Sequence, residues 1–212
     1  MGNSEEMFDI YDRQMNWLGV APRSEVHKKG LWHQTFQCWI VSFEKPEPLI
    51  LLQLRAPDKD LFPSLLDISS AGHLAAGETV REGVRELEEE LGLNVHFDDL
   101  LACGKFAEED LISEQLMDRE FCHVFIYRCD QPLKDYKLQE DEISGIFAVK
   151  VEELDQLVHG QQTVITASGY ELLGDGQLRE ITKPISLSDL VPHPTAYFDL
   201  LFQTLRDYSL YR

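Results

Sequence analysis

The hydrophobic residues of this chain are spaced as in β-strands over most of its length. Two segments rich in aromatic and branched side chains, HQTFQCWIVSF and PLILLQLRA, predict strong strands joined by the polar turn EKPEP. MFDIYD and WLGVAP flank a polar turn and predict a hairpin. Further extended segments are predicted at LLDISSAGH, LLACGKFAEE, EFCHVFIYRCD and SGIFAVKV.

Helical spacing is found in three segments. Residues 79–91 place four aliphatic side chains on one helix face, namely Val80, Val84, Leu87 and Leu91. EELDQLVHG predicts a short helix ending at Gly160, and PTAYFDLLFQTLRDY predicts an amphipathic terminal helix with Pro194 at its start. Between these two the pattern weakens, and GDG at 174–176 predicts a hairpin tip or a flexible insert. Strands that alternate with a few helices predict a mixed α/β domain.

Composition narrows the class of protein. With 43% hydrophobic and 27% charged residues, the 212-residue chain can bury a sizeable core. No apolar run approaches the ~18 residues of a membrane span, and the acidic N-terminus lacks the features of a signal peptide. Four scattered cysteines without C-x-x-C spacing predict reduced thiols in strands. We therefore expect a cytoplasmic protein without a membrane partner.

The net charge of −19 argues against nucleic acid as a partner, because a phosphate backbone would be repelled. If the ligand is nevertheless a phosphate compound, the repulsion must be offset locally. Metal ions held by carboxylates would offset it.

The segment GETVREGVRELEEELGL offers such carboxylates. Glu86, Glu89 and Glu90 are spaced i, i+3, i+4, so on a helix their side chains lie on one side and repel one another. A cation between them would remove the repulsion, and hard oxygen ligands suit Mg²⁺ or Mn²⁺. The alternative is a solvated acidic face. Arg85 can reach back to Glu78 and hold the glycine-rich turn AGHLAAGE against the helix.

These residues resemble the Nudix box, G-x5-E-x7-R-E-U-x-E-E-x-G-U, in which U is a bulky aliphatic residue. The positions that match in order are Gly72, Glu78, Arg85, Glu86, Leu87, Glu89, Glu90, Gly92 and Leu93. One departure is that six residues, not seven, separate Glu78 from Arg85, which requires a tighter turn into the helix. The resemblance implies a Nudix domain over residues 1–160, folded as an α/β/α sandwich. A C-terminal extension over residues 161–212 would pack on the same domain.

A branch of this family can be named more closely. HKKGLWHQTFQCWIV and LRAPDKDLFPSLLDISSAGHLAAGE resemble the isopentenyl-diphosphate isomerases. That resemblance implies a second metal held by His33, His73 and Glu120. Asp118 matches a further acidic ligand, and His27 lies about one residue out of register with a further histidine. The resemblance also implies that Arg55 and Lys59 hold the diphosphate, next to the loop glycine Gly72.

One substitution favours a hydrolase over an isomerase. The isomerases carry a proton-transferring cysteine just before the loop glycine, and here that position is Ala71. They lose the first and middle glutamates of the metal face, whereas this chain keeps Glu86 and Glu89. We therefore expect a Mg²⁺- or Mn²⁺-dependent Nudix hydrolase that uses an activated water on a small-molecule diphosphate. The base is left open among Glu90, Glu120 and Glu142.

Two other functions stay open at this stage. One is an isomerase-like enzyme with an unusual acid–base group. The other is a non-catalytic Nudix domain that senses a ligand, although such domains tend to lose the metal glutamates. The aromatic terminal helix AYFDLLFQTL also leaves a homodimer open, although helical aromatics belong more often to a core.

Overall fold

The structure, a computed structural model, describes residues 5–113 and 116–210. It begins with a hairpin of β1 (Met7–Tyr11) and β2 (Trp17–Pro22), as predicted, and a short helix, α1 (Arg23–Lys29). The other helices are α2 (Arg85–Leu91), α3 (Val151–Val158) and α4 (Thr195–Leu210). The other strands are β3 (His33–Ser42), β4 (Leu49–Arg55), β5 (Leu66–Asp67), β6 (Ser70–His73), β7 (Leu101–Ser113), β8 (Leu116–Arg128), β9 (Ile143–Lys150), β10 (Ile165–Leu172) and β11 (Leu178–Ile185).

The main sheet is mixed. Its strands follow the order β11-β10-β9-β4-β3-β8-β7, with β5 paired to β4 and β6 paired to β3. The pair β3 and β8 is parallel, whereas β6 runs antiparallel to β3. This register places His33 beside Glu120 and Thr35 beside His73. Three residues that are far apart in sequence, His33, His73 and Glu120, are thereby brought to one end of the sheet.

Helices cover both faces of the sheet. Alternate side chains of a strand point to opposite faces, and in β3 the buried Phe36 and Ile40 pack in one core while Trp39 packs in the other. Leu87 of α2 completes the first core, and Tyr197 of α4 lies in the second. The predicted mixed α/β architecture, an α/β/α sandwich with a C-terminal helix, is confirmed.

The weakly patterned segment after α3 forms a hairpin. β10 and β11 pair along their length around a turn that contains Asp175 and Gly176, so the hairpin-tip alternative is the one observed. β10 also pairs with β9 and so extends the main sheet. The aromatic side chains of α4, including Phe198 and Phe202, are buried in the second core. Among the described helices, none is long and apolar enough to span a membrane.

One local prediction differs from the structure. The helix predicted over 79–91 is wrong at its start, because a 3-10 turn at Glu82–Val84 precedes α2. The Glu82 carboxylate accepts hydrogen bonds from the backbone and hydroxyl of Thr79, each 2.8 Å, which favours a turn at this point. Gly83 then passes so close to β3 that an added Cβ would lie 2.8 Å from Phe36.

Helix α1 was not predicted. It is only seven residues long, its N-terminus has no side-chain cap, and Val26 is its one buried residue. Such a helix leaves little periodicity in the sequence, because a hydrophobic stripe needs several turns to be visible.

Candidate active site

One cleft of about 570 Å³ takes in nearly all of the candidate residues. The ends of β3, β6 and β8, helix α2, and the loops after β4 and before β9 contribute to its walls. The candidate residues that line it are Arg55, Lys59, Gly72, His73, Arg85, Glu86, Glu89, Glu90, Glu120 and Glu142. His33 and Glu78 lie behind this lining, each in contact with a residue that forms it.

The short spacing in the box does not prevent Arg85 from reaching Glu78. Arg85 Nε donates to Glu78 Oε1 at 2.6 Å, and Nη2 donates to Glu78 Oε2 at 3.1 Å. Nη2 also donates to the carbonyl oxygen of His73 at 3.2 Å. The Glu78 carboxylate in turn accepts from the backbone N–H of Ala75. These bonds tie the loop before the helix to the first turn of α2.

The three glutamates of α2 face the cleft, but they have different partners. Arg85 lies 2.7 Å from Glu86 and 2.9 Å from Glu89, while Glu90 accepts a hydrogen bond from the backbone N–H of Ala71 at 3.1 Å. Burial raises the pKa of Glu86 to about 7 and that of Glu90 to about 8. The ligand atoms of these three side chains do not form a group within 4.8 Å of one another among the described residues. Arg85 therefore supplies a counter-charge that offsets the repulsion between Glu86 and Glu89.

The two basic residues proposed for the diphosphate are also paired with acids. Arg55 donates to Asp67 at 2.8 Å and to the carbonyl oxygen of Leu61. Lys59 forms an ion pair with Glu142. Both cations line the same cleft as the α2 glutamates, so a ligand between them would contact acidic and basic groups together.

A second group of side chains meets at the end of β3. His33 Nε2 lies 3.8 Å from both Asp118 and Glu120, His73 Nε2 lies 3.6 Å from Glu120, and His27 Nε2 lies 4.0 Å from Asp118. Two overlapping sets, His27–His33–His73 and His33–Asp118–Glu120, each have their ligand atoms within 4.8 Å. We call these five residues the histidine cluster.

The side chains of the histidine cluster make few hydrogen bonds with one another, and their geometry could hold a metal ion. The Nε2 atoms of all three histidines and Oδ1 of Asp118 are buried without a hydrogen-bond partner among the described residues. Such orphaned polar atoms are costly unless an ion or water satisfies them. Burial lowers the pKa of each imidazole, which favours the neutral form that a metal requires. Phe8 of β1 stacks on His33 and His73 and fixes their rings.

Sequence reasoning placed His27 out of register, but the structure brings it into the cluster. The helix α1 turns the chain back so that His27 faces Asp118 of β8. The place of His27 in the cluster depends on α1, and the sequence did not predict this helix.

Sequence reasoning also missed a buried ion-pair group at the floor of the cleft. His193 Nδ1 lies 3.0 Å from Glu108, and Nε2 lies 3.3 Å from Asp67. Burial by itself would lower the pKa of His193, but its hydrogen bonds to Asp67 and Glu108 raise it to about 10. His193 precedes a proline at a helix start and belongs to no motif, so the sequence carries no signal for it.

Known proteins are similar to this chain in sequence. Residues 31–167 match the NUDIX domain family. An uncharacterized Nudix hydrolase of Clostridium acetobutylicum is 37% identical over 203 residues, 96% of this chain and 98% of that protein. Isopentenyl-diphosphate Delta-isomerase 2 of Photorhabdus laumondii is 29% identical over 163 residues, 76% of this chain and 87% of that protein.

A similar fold is found in a solved structure. A crystal structure from Deinococcus radiodurans superimposes with a TM-score of 0.57 at 22% identity, over 74% of this chain and 91% of that one. The Nudix box on α2 and its preceding loop, the sandwich around a mixed sheet and the match over most of the chain agree with one another. The chain belongs to the Nudix hydrolase family.

Proposed function

We propose that this protein hydrolyses a phosphoanhydride bond in a small-molecule diphosphate, either a nucleoside diphosphate linked to a second group or an isoprenoid or other diphosphate. The observation that carries the proposal is that Glu86, Glu89 and Glu90 share one cleft with Arg55 and Lys59. Carboxylates suited to a divalent cation and cations suited to phosphate oxygens thus face the same space.

The α2 glutamates fit a divalent cation on the chemistry of their surroundings. Glu86 and Glu90 are buried carboxyls whose pKa values are raised, so their ionised forms are poorly compensated by the protein. Glu86, Glu89 and Glu90 would hold Mg²⁺ or Mn²⁺. When bound, such an ion neutralises phosphate charge and lowers the pKa of a water ligand, which supplies the nucleophile.

The remaining residues of the site would position the backbone, bind the phosphates or act as the base. The Glu78–Arg85 pair fixes the end of β6, the strand that carries Gly72, and the loop after it against α2. Arg55 and Lys59 would bind the terminal phosphates, because charged donors make the strongest hydrogen bonds to phosphate oxygens. Three carboxylates line the cleft as candidates for the base, Glu90, Glu120 and Glu142. Of these, Glu142 is paired with Lys59 and Glu90 with a backbone N–H.

The histidine cluster would hold a second cation. Three imidazoles with two carboxylates favour Mn²⁺, Zn²⁺ or Fe²⁺ over Mg²⁺. The orphaned nitrogen atoms of His27, His33 and His73 fit this donor set. The two sites would then differ in kind, one all-oxygen and one rich in nitrogen.

An isomerase is the second candidate, because an isopentenyl-diphosphate isomerase is among the relatives. Its proton-transferring thiol is replaced by Ala71, and no cysteine is among the described residues that line the cleft. Cys122 lies 3.6 Å from Glu120 but is fully buried, and burial raises the pKa of its thiol. These observations favour hydrolysis over carbon chemistry.

A phosphate-release screen tests the proposal. Nucleoside, sugar, isoprenoid and coenzyme diphosphates are each incubated with the wild-type protein and Mg²⁺, then Mn²⁺. Where the diphosphate links two groups, hydrolysis leaves two phosphomonoesters, and an added phosphatase converts these to inorganic phosphate. We expect phosphate release from at least one class and no double-bond migration in isopentenyl diphosphate. Migration without phosphate release would establish the isomerase instead.

A further inference from the structure

His193 lines the cleft although it lies outside the matched domain, in the segment between β11 and α4. Its side chain is only 10% exposed and stacks on Tyr197, with the ring centroids 4.8 Å apart. Tyr197 accepts a hydrogen bond from Trp39 Nε1 in the core at 3.0 Å. The ring of His193 is therefore held in place by the packing of α4 on the sheet.

His193 connects to the diphosphate side of the cleft through Asp67. Nε2 of His193 lies 3.3 Å from Oδ1 of Asp67, while Oδ2 of the same carboxylate accepts from Arg55 Nη1 at 2.8 Å. A carboxylate as buried as Asp67 is stable only with partners for its charge. His193 and Arg55 are the two cationic partners that contact it.

The hydrogen bonds of Arg55 leave it suited to phosphate. A guanidinium carries five N–H groups, and three of them are used, by Asp67 and twice by the carbonyl oxygen of Leu61. The two that remain by this count are one on Nη1 and one on Nη2. N–H groups on these two nitrogens are charged donors of the kind that bind phosphate oxygens.

We propose that His193 is a positioning residue of the diphosphate site, which orients the guanidinium of Arg55 toward the ligand by holding Asp67. The inference rests on the proposed function, in which Arg55 binds the terminal phosphates. It assigns to the segment beyond the matched domain a part in completing the substrate site. His193 also forms an ion pair with Glu108, which is the cross-strand neighbour of Glu120. It therefore neutralises a carboxylate beside the histidine cluster as well.

The test is a double-mutant cycle on ligand binding. The dissociation constant of methylenediphosphonate, which cannot be hydrolysed, is measured by calorimetry with Mg²⁺ for wild type, His193→Gln, Arg55→Gln and the double variant. If His193 acts through Arg55, His193→Gln weakens binding about tenfold in the wild-type background and less than about twofold in the Arg55→Gln background. Equal weakening in both backgrounds, or unchanged binding in His193→Gln, overturns the inference.

The matched control is His159→Gln. His159 also contacts two carboxylates, Asp155 and Asp199, but on the surface and away from the cleft. It is expected to leave the dissociation constant unchanged. Should His193→Gln fail to fold, as judged by near-ultraviolet circular dichroism, His193→Asn replaces it, because it removes the charged ring and leaves the Asp67–Arg55 contact in place. The same dependence on Arg55 is expected.

The outcome separates the inference from the proposed function. Binding that follows the expected cycle, without phosphate release from any diphosphate, would refute the hydrolase and leave the role of His193 intact. Hydrolysis with an additive cycle would refute the role of His193 alone. Absence of methylenediphosphonate binding to the wild type would overturn the inference as well.

Discussion

Gly72 and Glu86 are in direct contact across the cleft, since a Cβ added to Gly72 would lie 2.1 Å from Cδ of Glu86. Strand β6 and the first glutamate of the box therefore approach so closely that only a glycine fits at this position of the strand. Arg85 contacts both Glu86 and the carbonyl oxygen of His73 at the end of β6. One side chain therefore holds both the strand and the carboxylate.

This contact predicts the effect of Gly72→Ala. The added methyl must displace Glu86 or β6, and a misplacement near 1 Å in a catalytic site lowers rates about 10²-fold. We expect the kcat of phosphate release to fall by about that factor with the fold retained. Gly174→Ala, at a position where a Cβ meets nothing within 4 Å, is the control and should match wild type. Equal kcat in Gly72→Ala and wild type would show that Glu86 is not held by this contact.

Ala71→Cys tests the distinction between hydrolase and isomerase. The substitution restores a thiol beside Gly72, but Glu86 and Glu89 remain in the cleft. We expect no double-bond migration in isopentenyl diphosphate, measured by product chromatography. Robust migration by the wild-type protein, with Ala71 in place, would refute the argument from the absent thiol.

The histidine cluster predicts a second class of Mn²⁺ sites. Loss of a residue that supports a metal ligand lowers metal affinity about 10–100-fold. His33 would be a ligand itself, so His33→Asn should weaken Mn²⁺ binding at the histidine cluster by at least about 100-fold. The class held by the α2 glutamates should be unaffected. His96→Gln, outside the cluster, serves as the control. Calorimetry that finds a single class in the wild type, unchanged in His33→Asn, would rule out the second site.

His193 predicts a pH-dependent part of the stability. Folding raises its pKa from 6.5 to about 10, so its ion pairs stabilise the folded state fully below pH 6.5. That contribution is lost as pH rises through about 10. The difference in Tm between wild type and His193→Gln should therefore be large at pH 6 and shrink toward pH 10.5. A constant difference over that range would show that His193 is neutral in the folded protein.

The local motif was predictable because its chemistry follows from spacing along one helix. The i, i+3, i+4 positions of Glu86, Glu89 and Glu90 predict a metal face, and the structure adds that Arg85 contacts two of these carboxylates. The place of His27 in the histidine cluster and the contacts of His193 were not predicted, because each depends on how distant segments fold. His27 lies on a helix without a side-chain cap, and His193 is held by its stacking on Tyr197 of α4.

The central claim is that the glutamates of α2 serve metal-dependent phosphoanhydride hydrolysis, and one comparison tests it most directly. The kcat of phosphate release with Mg²⁺ is measured for wild type, Glu90→Gln and Glu88→Gln, on the best substrate of the screen. Glu88 is exposed on the same helix and outside the cleft, so its variant should match wild type. We predict that Glu90→Gln, which removes charge at nearly constant shape, lowers kcat by about 10² or more. Wild-type turnover in Glu90→Gln would contradict the account.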